Sequence, residues 1–141
     1  IDVVGSHSLW SDYRGLFAST SDNVRLLGHR PREAIYELLG HHAVLVQLSR
    51  YEPFGLTVIE ALATGTPVVV TPAVGSSEGL DPTVCRVVAP GDIDALSVAV
   101  TEMTQRSSSP AIREAARREA EKFTPERVAG VLEAALVSVV V

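Results

Sequence analysis

Short apolar runs recur through residues 1–105 of this chain, with helical segments between them. Their aliphatic and β-branched composition predicts strands. The runs are Ile1–Gly5, Asn23–Gly28, Ala43–Leu48, Pro67–Thr71 and Cys85–Ala89. Strands that alternate with helices are typical of βαβ units, whose strands run parallel. We therefore predict an α/β fold with an open parallel sheet and helices on both of its faces.

Apolar residues at helical spacing predict helices between these strands and beyond the last one. They are Ser11–Ser19, Pro31–Leu39, Leu56–Ala63, a helix that follows Asp92, and two helices within residues 110–141. Gly40 is predicted to end the second of these helices. Asp92 is predicted to cap the fourth, because a short acidic side chain accepts hydrogen bonds from first-turn amides. Thr124-Pro125 is predicted to begin the last helix.

Several apolar side chains are expected to face the protein interior. Ala43–Leu48 is nearly all apolar, so this strand is expected to be covered on both faces. The inward positions predicted for the fourth and last helices are Ile93, Leu96, Val100 and Met103, and Val128, Val131, Leu132 and Ala135. Cys85 is predicted to be a small buried hydrophobe rather than a nucleophile.

Composition excludes several classes of protein. The chain has 141 residues, is 46% hydrophobic and 21% charged, and carries a net charge of −5. These values suit one folded domain and disfavour nucleic-acid binding, which needs basic surface. A single cysteine rules out an internal disulfide and fits a reducing, cytoplasmic compartment. No apolar stretch approaches the roughly 20 residues of a membrane span, although peripheral contact with the inner face of a membrane stays open.

Glu52 and Glu60 flank a glycine turn that joins a predicted strand to a predicted helix. Ligands in open α/β sheets bind at such strand-to-helix loops. Gly55 permits a sharp turn, and the free amides of the helix start attract anions. Carboxylates accept hydrogen bonds from pairs of hydroxyl groups. A nucleotide sugar carries both a diphosphate and hydroxyl pairs, and is therefore the ligand that this loop predicts.

Each glutamate also has a simpler interpretation. Glu52 would then be a solvated loop charge and Glu60 a partner of the helix dipole. Either residue alone would favour that interpretation. Their combination with Pro53, Gly55 and the downstream Ala-Thr-Gly-Thr-Pro-Val-Val-Val is far more specific.

The stretch Arg50–Thr71 resembles the signature of the retaining GT-B glycosyltransferases of family 4. It reads Arg-Tyr-Glu-Pro-Phe-Gly-Leu-Thr-Val-Ile-Glu-Ala-Leu-Ala-Thr-Gly-Thr-Pro-Val-Val-Val-Thr. Asn23–Gly28 is similar to the family's strand before the base-binding loop, and Pro90–Leu96 to a later helix start. The resemblance covers essentially the whole chain. It implies the C-terminal, Rossmann-like half of a GT-B fold, as one partial domain over 1–141 with closing helices at about 110–141.

The resemblance also implies roles for individual residues. Glu52 would contact the hydroxyls of the donor sugar, and Glu60 would hold the ribose diol. The backbone at the helix start would line the sugar and phosphates, and a second backbone segment would meet the base. The first role would belong to the amides of Phe54, Gly55 and Leu56, and the second to the backbone at His29 and Arg30. Thr57 would lie near the phosphates and ribose.

Two departures from the family pattern stand out. The loop after Thr71 reads Ala73-Val-Gly-Ser-Ser-Glu78, so only Gly75 and Glu78 match the usual Gly-Gly and Glu. The family's first strand, with the Arg and Lys that grip the diphosphate, is missing, as is the N-terminal acceptor-binding domain. We therefore expect this chain to be part of a longer protein and inactive alone, with its acceptor domain as partner.

Other interpretations follow from the same residues. The chain could be a non-catalytic nucleotide-sugar-binding lobe or a flavodoxin-like interaction domain. A metal site is not expected, since the adjacent His41 and His42 do not share a helical face and no zinc-ligand spacing is present. These histidines, like His7 and His29, are predicted to lie in loops and caps. No cofactor besides the nucleotide-sugar donor is expected.

Overall fold

The computed structural model describes residues 1–5 and 23–139, so the helix predicted at Ser11–Ser19 lies outside the described residues. The strands are β1 (Asp2–Val4), β2 (Arg25–Gly28), β3 (Leu45–Gln47), β4 (Val68–Val70) and β5 (Cys85–Val87). The helices are α1 (Arg32–His41), α2 (Leu56–Ala63), α3 (Ile93–Arg106), α4 (Pro110–Ala120) and α5 (Pro125–Val139). Two 3₁₀ turns lie at Gly75–Ser77 and Glu121–Phe123. All five predicted strands are present, each shorter than predicted at one or both ends.

The chain divides into two compact units, Ile1–Ile35 and Tyr36–Val141, with the division inside α1. In the first unit, β1 and β2 pair in parallel, with Asp2 opposite Arg25. The Arg25 guanidinium donates to both carboxylate oxygens of Asp2 at 2.7 Å. This two-pronged ion pair joins two residues that lie opposite one another in the strand pairing.

The second unit contains a parallel sheet in the order β3-β4-β5. Central strand β4 is fully buried along Val68–Val70. The prediction that Ala43–Leu48 is covered on both faces is wrong, because Val46 and Leu48 are 40% and 44% exposed. In this sheet β3 is an edge strand, and the apolar run alone did not distinguish an edge from a centre.

Helices contact the central strand of this sheet. Val69 packs with Val88 and with Ala99 and Met103 of α3 in one buried cluster. Because side chains alternate along a strand, Val68 and Val70 point to the opposite face. α2 contacts β3 and β4, and α4 packs against α2. The predicted α/β class, with parallel strands and helices, is confirmed.

α1 continues through Gly40 to His41, so the predicted helix end at Gly40 is wrong. Gly40 does not adopt the positive φ of a helix-terminating glycine. The carbonyls of the last turn have other partners: the Nδ1 atoms of His41 and His42 lie 2.7 and 2.6 Å from the carbonyl oxygens of Glu37 and Leu38. Both histidines therefore act at the helix end, as the sequence predicted.

The apolar face predicted for α3 is confirmed except at its first residue. Met103 is buried and Leu96 and Val100 are partly buried, but Ile93 is 69% exposed. Ile93 is the first residue of α3. It continues the apolar spacing of the helix but lies beyond the residues that form the buried cluster.

α5 begins at Pro125 as predicted, and Thr124 Oγ1 accepts from the Arg127 amide at 3.5 Å. The prediction that its apolar face is buried is wrong. The exposed positions are Val128, Val131, Leu132 and Ala135. Helical spacing identifies which face is apolar, but burial requires a neighbouring element to cover that face, and in the described residues these side chains stay accessible.

Asp92 caps α3 as predicted, because its Oδ1 accepts from the Ala95 amide at 2.9 Å. We expect Asp92→Ala to lower the free energy of unfolding by about 1 kcal/mol. Chemical denaturation followed by circular dichroism measures this change. Ser109→Ala is the matched control, since Ser109 occupies the same position before α4 without a side-chain cap. Equal losses in the two variants would contradict the capping role of Asp92.

Candidate functional site

The turn between β3 and α2 requires glycine at position 55. Gly55 precedes α2 with φ 88° and ψ 59°, the left-handed region. A Cβ atom at Gly55 would lie 2.7 Å from the Val74 side chain, so space as well as backbone conformation excludes a larger residue. The sharp turn predicted from sequence is therefore present where it was expected.

The loop is held by backbone hydrogen bonds to the segment that follows β4. The Glu52 amide donates to the Ala73 carbonyl at 3.0 Å, and the Gly75 amide returns a bond to the Glu52 carbonyl at 3.1 Å. The two backbones are so close that a Cβ atom at Gly75 would overlap the Pro53 carbonyl oxygen. We call residues 73–77 the support segment, because its bonds fix the position of the loop.

Ser76 is a support residue that the sequence interpretation missed. Its amide donates to the Phe54 carbonyl at 2.7 Å, and its hydroxyl donates to the Gly55 carbonyl at 3.2 Å. The side chain is buried, with 2% exposure. No local pattern indicated this role, because 21 residues separate Ser76 from Gly55.

Glu52 is half-buried and fixed within its own loop. Its Oε1 accepts from the Gly55 amide at 3.1 Å. The side chain is therefore not simply a solvated charge. The Gly55 amide therefore has a hydrogen-bond partner within the loop. The donor-binding roles of Glu52 and Gly55 stay predictions.

Glu60 lies in the second turn of α2, half-buried. The Tyr36 hydroxyl donates to its Oε1 at 3.3 Å. Tyr36 was not singled out from sequence, because 24 residues separate the two partners and no local pattern links them. Residues four apart share a helical face, so Glu60 lies one turn along from Leu56.

The first turn of α2 is suited to an anion. It contains no acidic residue, and Gly55 supplies no side-chain cap. Leu56 and Thr57 are exposed in that turn. Since the first amides of a helix have no partner within the helix and lie at its positive end, they can donate to a phosphate.

The remaining predicted site residues differ in placement. Phe54 is partly exposed, and its ring meets Phe123 edge-on with centroids 5.9 Å apart. His29 and Arg30 follow β2 in the first unit, both exposed, and an Arg30 guanidinium nitrogen lies 3.4 Å from the His29 carbonyl oxygen. Their role in meeting the base stays a prediction.

Cys85 is buried, as predicted, and burial raises the pKa of its thiol to about 11. It is therefore a neutral thiol at physiological pH, unsuited to nucleophilic attack. Within residues 1–5 and 23–139, no three His, Cys, Asp or Glu side chains are grouped as metal ligands would be. Across the helices that the structure describes, none has the length and hydropathy of a bilayer span.

Solved glycosyltransferases share this fold. Sucrose-phosphate synthase from Thermosynechococcus elongatus superposes with a TM-score of 0.78 at 26% identity, over 98% of this chain and 38% of that one. Anabaena HepE, solved with UDP and glucose, gives 0.72 at 23% identity over 94% of this chain and 40% of its own. TarM gives 0.74 at 20% identity, over 96% of this chain and 27% of that chain. These similarities identify the fold as that of GT-B C-terminal domains.

Sequence comparison agrees with the structural comparison. A probable transglycosylase of Burkholderia thailandensis is 36% identical over 80 residues, which are 55% of this chain and 22% of that protein. Mannosylfructose-phosphate synthase of Agrobacterium fabrum is 46% identical over 50 residues, 36% of this chain and 11% of its own length. The chain therefore matches less than a quarter of each relative. The model of the glycosyl transferases group 1 family matches residues 3–123, and the chain belongs to that family.

Proposed function

We propose that this chain is the donor-binding lobe of a retaining glycosyltransferase of family 4. The enzyme would move a sugar from a nucleotide sugar to a glycan, lipid or small-molecule acceptor, with the same anomeric configuration in the product. One observation carries the proposal: Glu52 and Glu60 flank a rigid glycine turn whose helix start has no side-chain cap. HepE, which shares the fold, was solved with UDP and glucose, a ligand pair of the proposed chemistry.

The loop geometry supports a division of roles. The amides of Leu56 and Thr57 would receive the diphosphate at the positive end of α2. Glu60, held by Tyr36, would accept from the ribose diol. Glu52 would accept from the donor sugar, with Phe54 and Gly55 lining the site. His29 and Arg30 would meet the base through their backbone.

Catalysis would depend on how the leaving diphosphate is stabilised. As the bond between the sugar and the diphosphate breaks, negative charge grows on the phosphates, and the first turn of α2 offers oriented N–H groups to that charge. An N-terminal acceptor-binding domain would close over the donor and exclude water, which limits hydrolysis. The chain alone would then be inactive, and the reaction would need no metal.

A donor screen on the full-length protein tests the proposal. UDP-, GDP- and ADP-sugars are offered in turn, and release of the sugar is measured with and without chelator. Turnover of one donor that survives chelation is expected. Binding without turnover would instead identify a non-catalytic nucleotide-sugar-binding lobe, and the absence of both would reject donor binding.

Glu60→Ala should weaken binding of the nucleoside diphosphate by roughly 10- to 150-fold, equal to about 1.5–3 kcal/mol, because a charged acceptor for the ribose is lost. Tyr36→Phe should have a smaller effect, since it removes only the hydroxyl that orients Glu60. Isothermal titration calorimetry measures both. Glu37→Ala, at an exposed glutamate of α1, is the control. Unchanged affinity in Glu60→Ala would contradict the placement of the ribose.

A further inference from the structure

A cavity of about 510 Å³ lies at the carboxyl ends of β3, β4 and β5, and neither Glu52 nor Glu60 lines it. Its volume falls within the range of small-molecule sites, roughly 300–1,000 Å³. Aliphatic side chains form much of its wall: Leu48, Val88, Ile93 and Leu96. Leu48 and Ile93 remain exposed in spite of their apolar character. The cavity is therefore a place where apolar surface is accessible to a ligand.

The polar groups along the wall are mostly in use. The Thr71 hydroxyl donates to the Ser49 carbonyl. The Asp92 carboxylate accepts from the Ala95 amide as the cap of α3. Pro90 has no N–H to donate. The Asp92 carboxylate keeps further acceptor capacity, but it can only accept hydrogen bonds and so offers nothing to an anionic group.

Arg50 is the exception at this site. It lines the cavity, is exposed, and makes no hydrogen bond or ion pair with the described residues. Two other arginines of the second unit are engaged: Arg86 donates to Glu102, and Arg113 to backbone carbonyls. A guanidinium offers paired donors that match a phosphate or carboxylate. The cavity thus joins the Arg50 guanidinium to an apolar wall, with one carboxylate, that of Asp92, at the start of α3.

We infer that this cavity binds an amphiphilic anion, with its phosphate or carboxylate on Arg50 and a single alkyl chain or ring against the aliphatic wall. A cationic head group would be repelled by Arg50, and the Asp92 charge is offset by the positive end of α3 that it caps. The inference is independent of the proposed donor site, since neither glutamate of that site lines the cavity.

Octyl phosphate, kept below its micelle concentration, tests the inference by calorimetric titration into the full-length protein. It should bind more tightly than inorganic phosphate or octanol, because each of these offers only half of the contacts. Arg50→Gln should weaken binding by about 10-fold or more, through loss of a charge-assisted bond. Ile93→Ser should also weaken it, since apolar contact area is lost.

Two controls accompany these variants. Arg118→Gln removes an exposed arginine of α4 that does not line the cavity, and should leave octyl phosphate binding unchanged. Arg50→Lys keeps the charge and should retain part of the affinity. UDP is titrated into the same samples. Loss of octyl phosphate binding at the cavity can then be distinguished from loss of nucleotide binding at the donor site.

Vesicles of phosphatidylcholine with or without phosphatidic acid distinguish the source of the anion. If vesicles with phosphatidic acid compete with octyl phosphate for wild type but not for Arg50→Gln, the site binds a membrane lipid. Octyl phosphate binding without such competition would assign it to a free amphiphile. The inference is overturned when octyl phosphate binds no better than inorganic phosphate, or binds equally to wild type and Arg50→Gln.

Discussion

Gly55→Ala is expected to lower the free energy of unfolding by about 2–5 kcal/mol, from left-handed backbone strain of about 1–2 and overpacking of about 1–3 kcal/mol. The strain arises because φ is 88° at this residue, and the overpacking because a Cβ atom would lie 2.7 Å from the Val74 side chain. Urea denaturation followed by circular dichroism measures the loss.

Gly91→Ala separates these two causes. Gly91 has nearly the same φ, 85°, but an added Cβ atom would find nothing within 4 Å. This variant should therefore lose only the strain of about 1–2 kcal/mol. If both variants lost the same free energy, the close approach of Gly55 to Val74 would have no energetic consequence, and the packed turn described above would be incorrect.

Gly75→Ala is expected to reduce kcat/KM of the full-length enzyme by roughly 100-fold, because small displacements of binding groups carry costs of that order. The new methyl group would overlap the Pro53 carbonyl oxygen, which is backbone and can move only with the loop. Moving the loop breaks the bonds between the support segment and residues 52–55 and shifts both Glu52 and the start of α2.

The control for Gly75→Ala is Gly130→Ala, on the exposed face of α5. An added Cβ atom there meets nothing within 4 Å, so activity should be unchanged and stability should rise by about 0.5–1 kcal/mol. Thermal melts are recorded for both variants. Full activity in a folded Gly75→Ala variant would show that the support segment does not position the donor loop.

The predictions from sequence were correct where a structural feature depends on residues that are neighbours in the chain. The predicted helix over Leu56–Ala63 has those bounds in the structure, because a glycine turn begins it and Thr64-Gly65 ends it. Asp92 caps α3 through a bond to a residue three positions away. Such contacts lie within one helical turn, so the order of residues alone describes them.

The predictions from sequence were wrong where burial or a helix end depends on residues outside the local pattern. Val46 and Val131 belong to runs that are apolar enough to be buried, yet both are exposed, since exposure depends on which element lies beside them. Gly40 matched the pattern of a helix end, but the histidine side chains beyond it let the helix continue. Apolar residues at regular spacing indicate that a face can be buried. They do not indicate whether another element covers that face.

The same division runs through the candidate site. Residue order by itself determined the strand, glycine turn and helix around Glu52 and Glu60, because backbone conformation and helical spacing follow from neighbouring residues. Only the tertiary structure decided that Ser76 supports this turn and that Tyr36 holds Glu60, from 21 and 24 residues away. The Ser76 contact exists because the parallel strands β3 and β4 bring the segments that follow them to one edge of their sheet, and the Tyr36 contact joins two helices, α1 and α2. No local pattern encodes which side chains meet at such places.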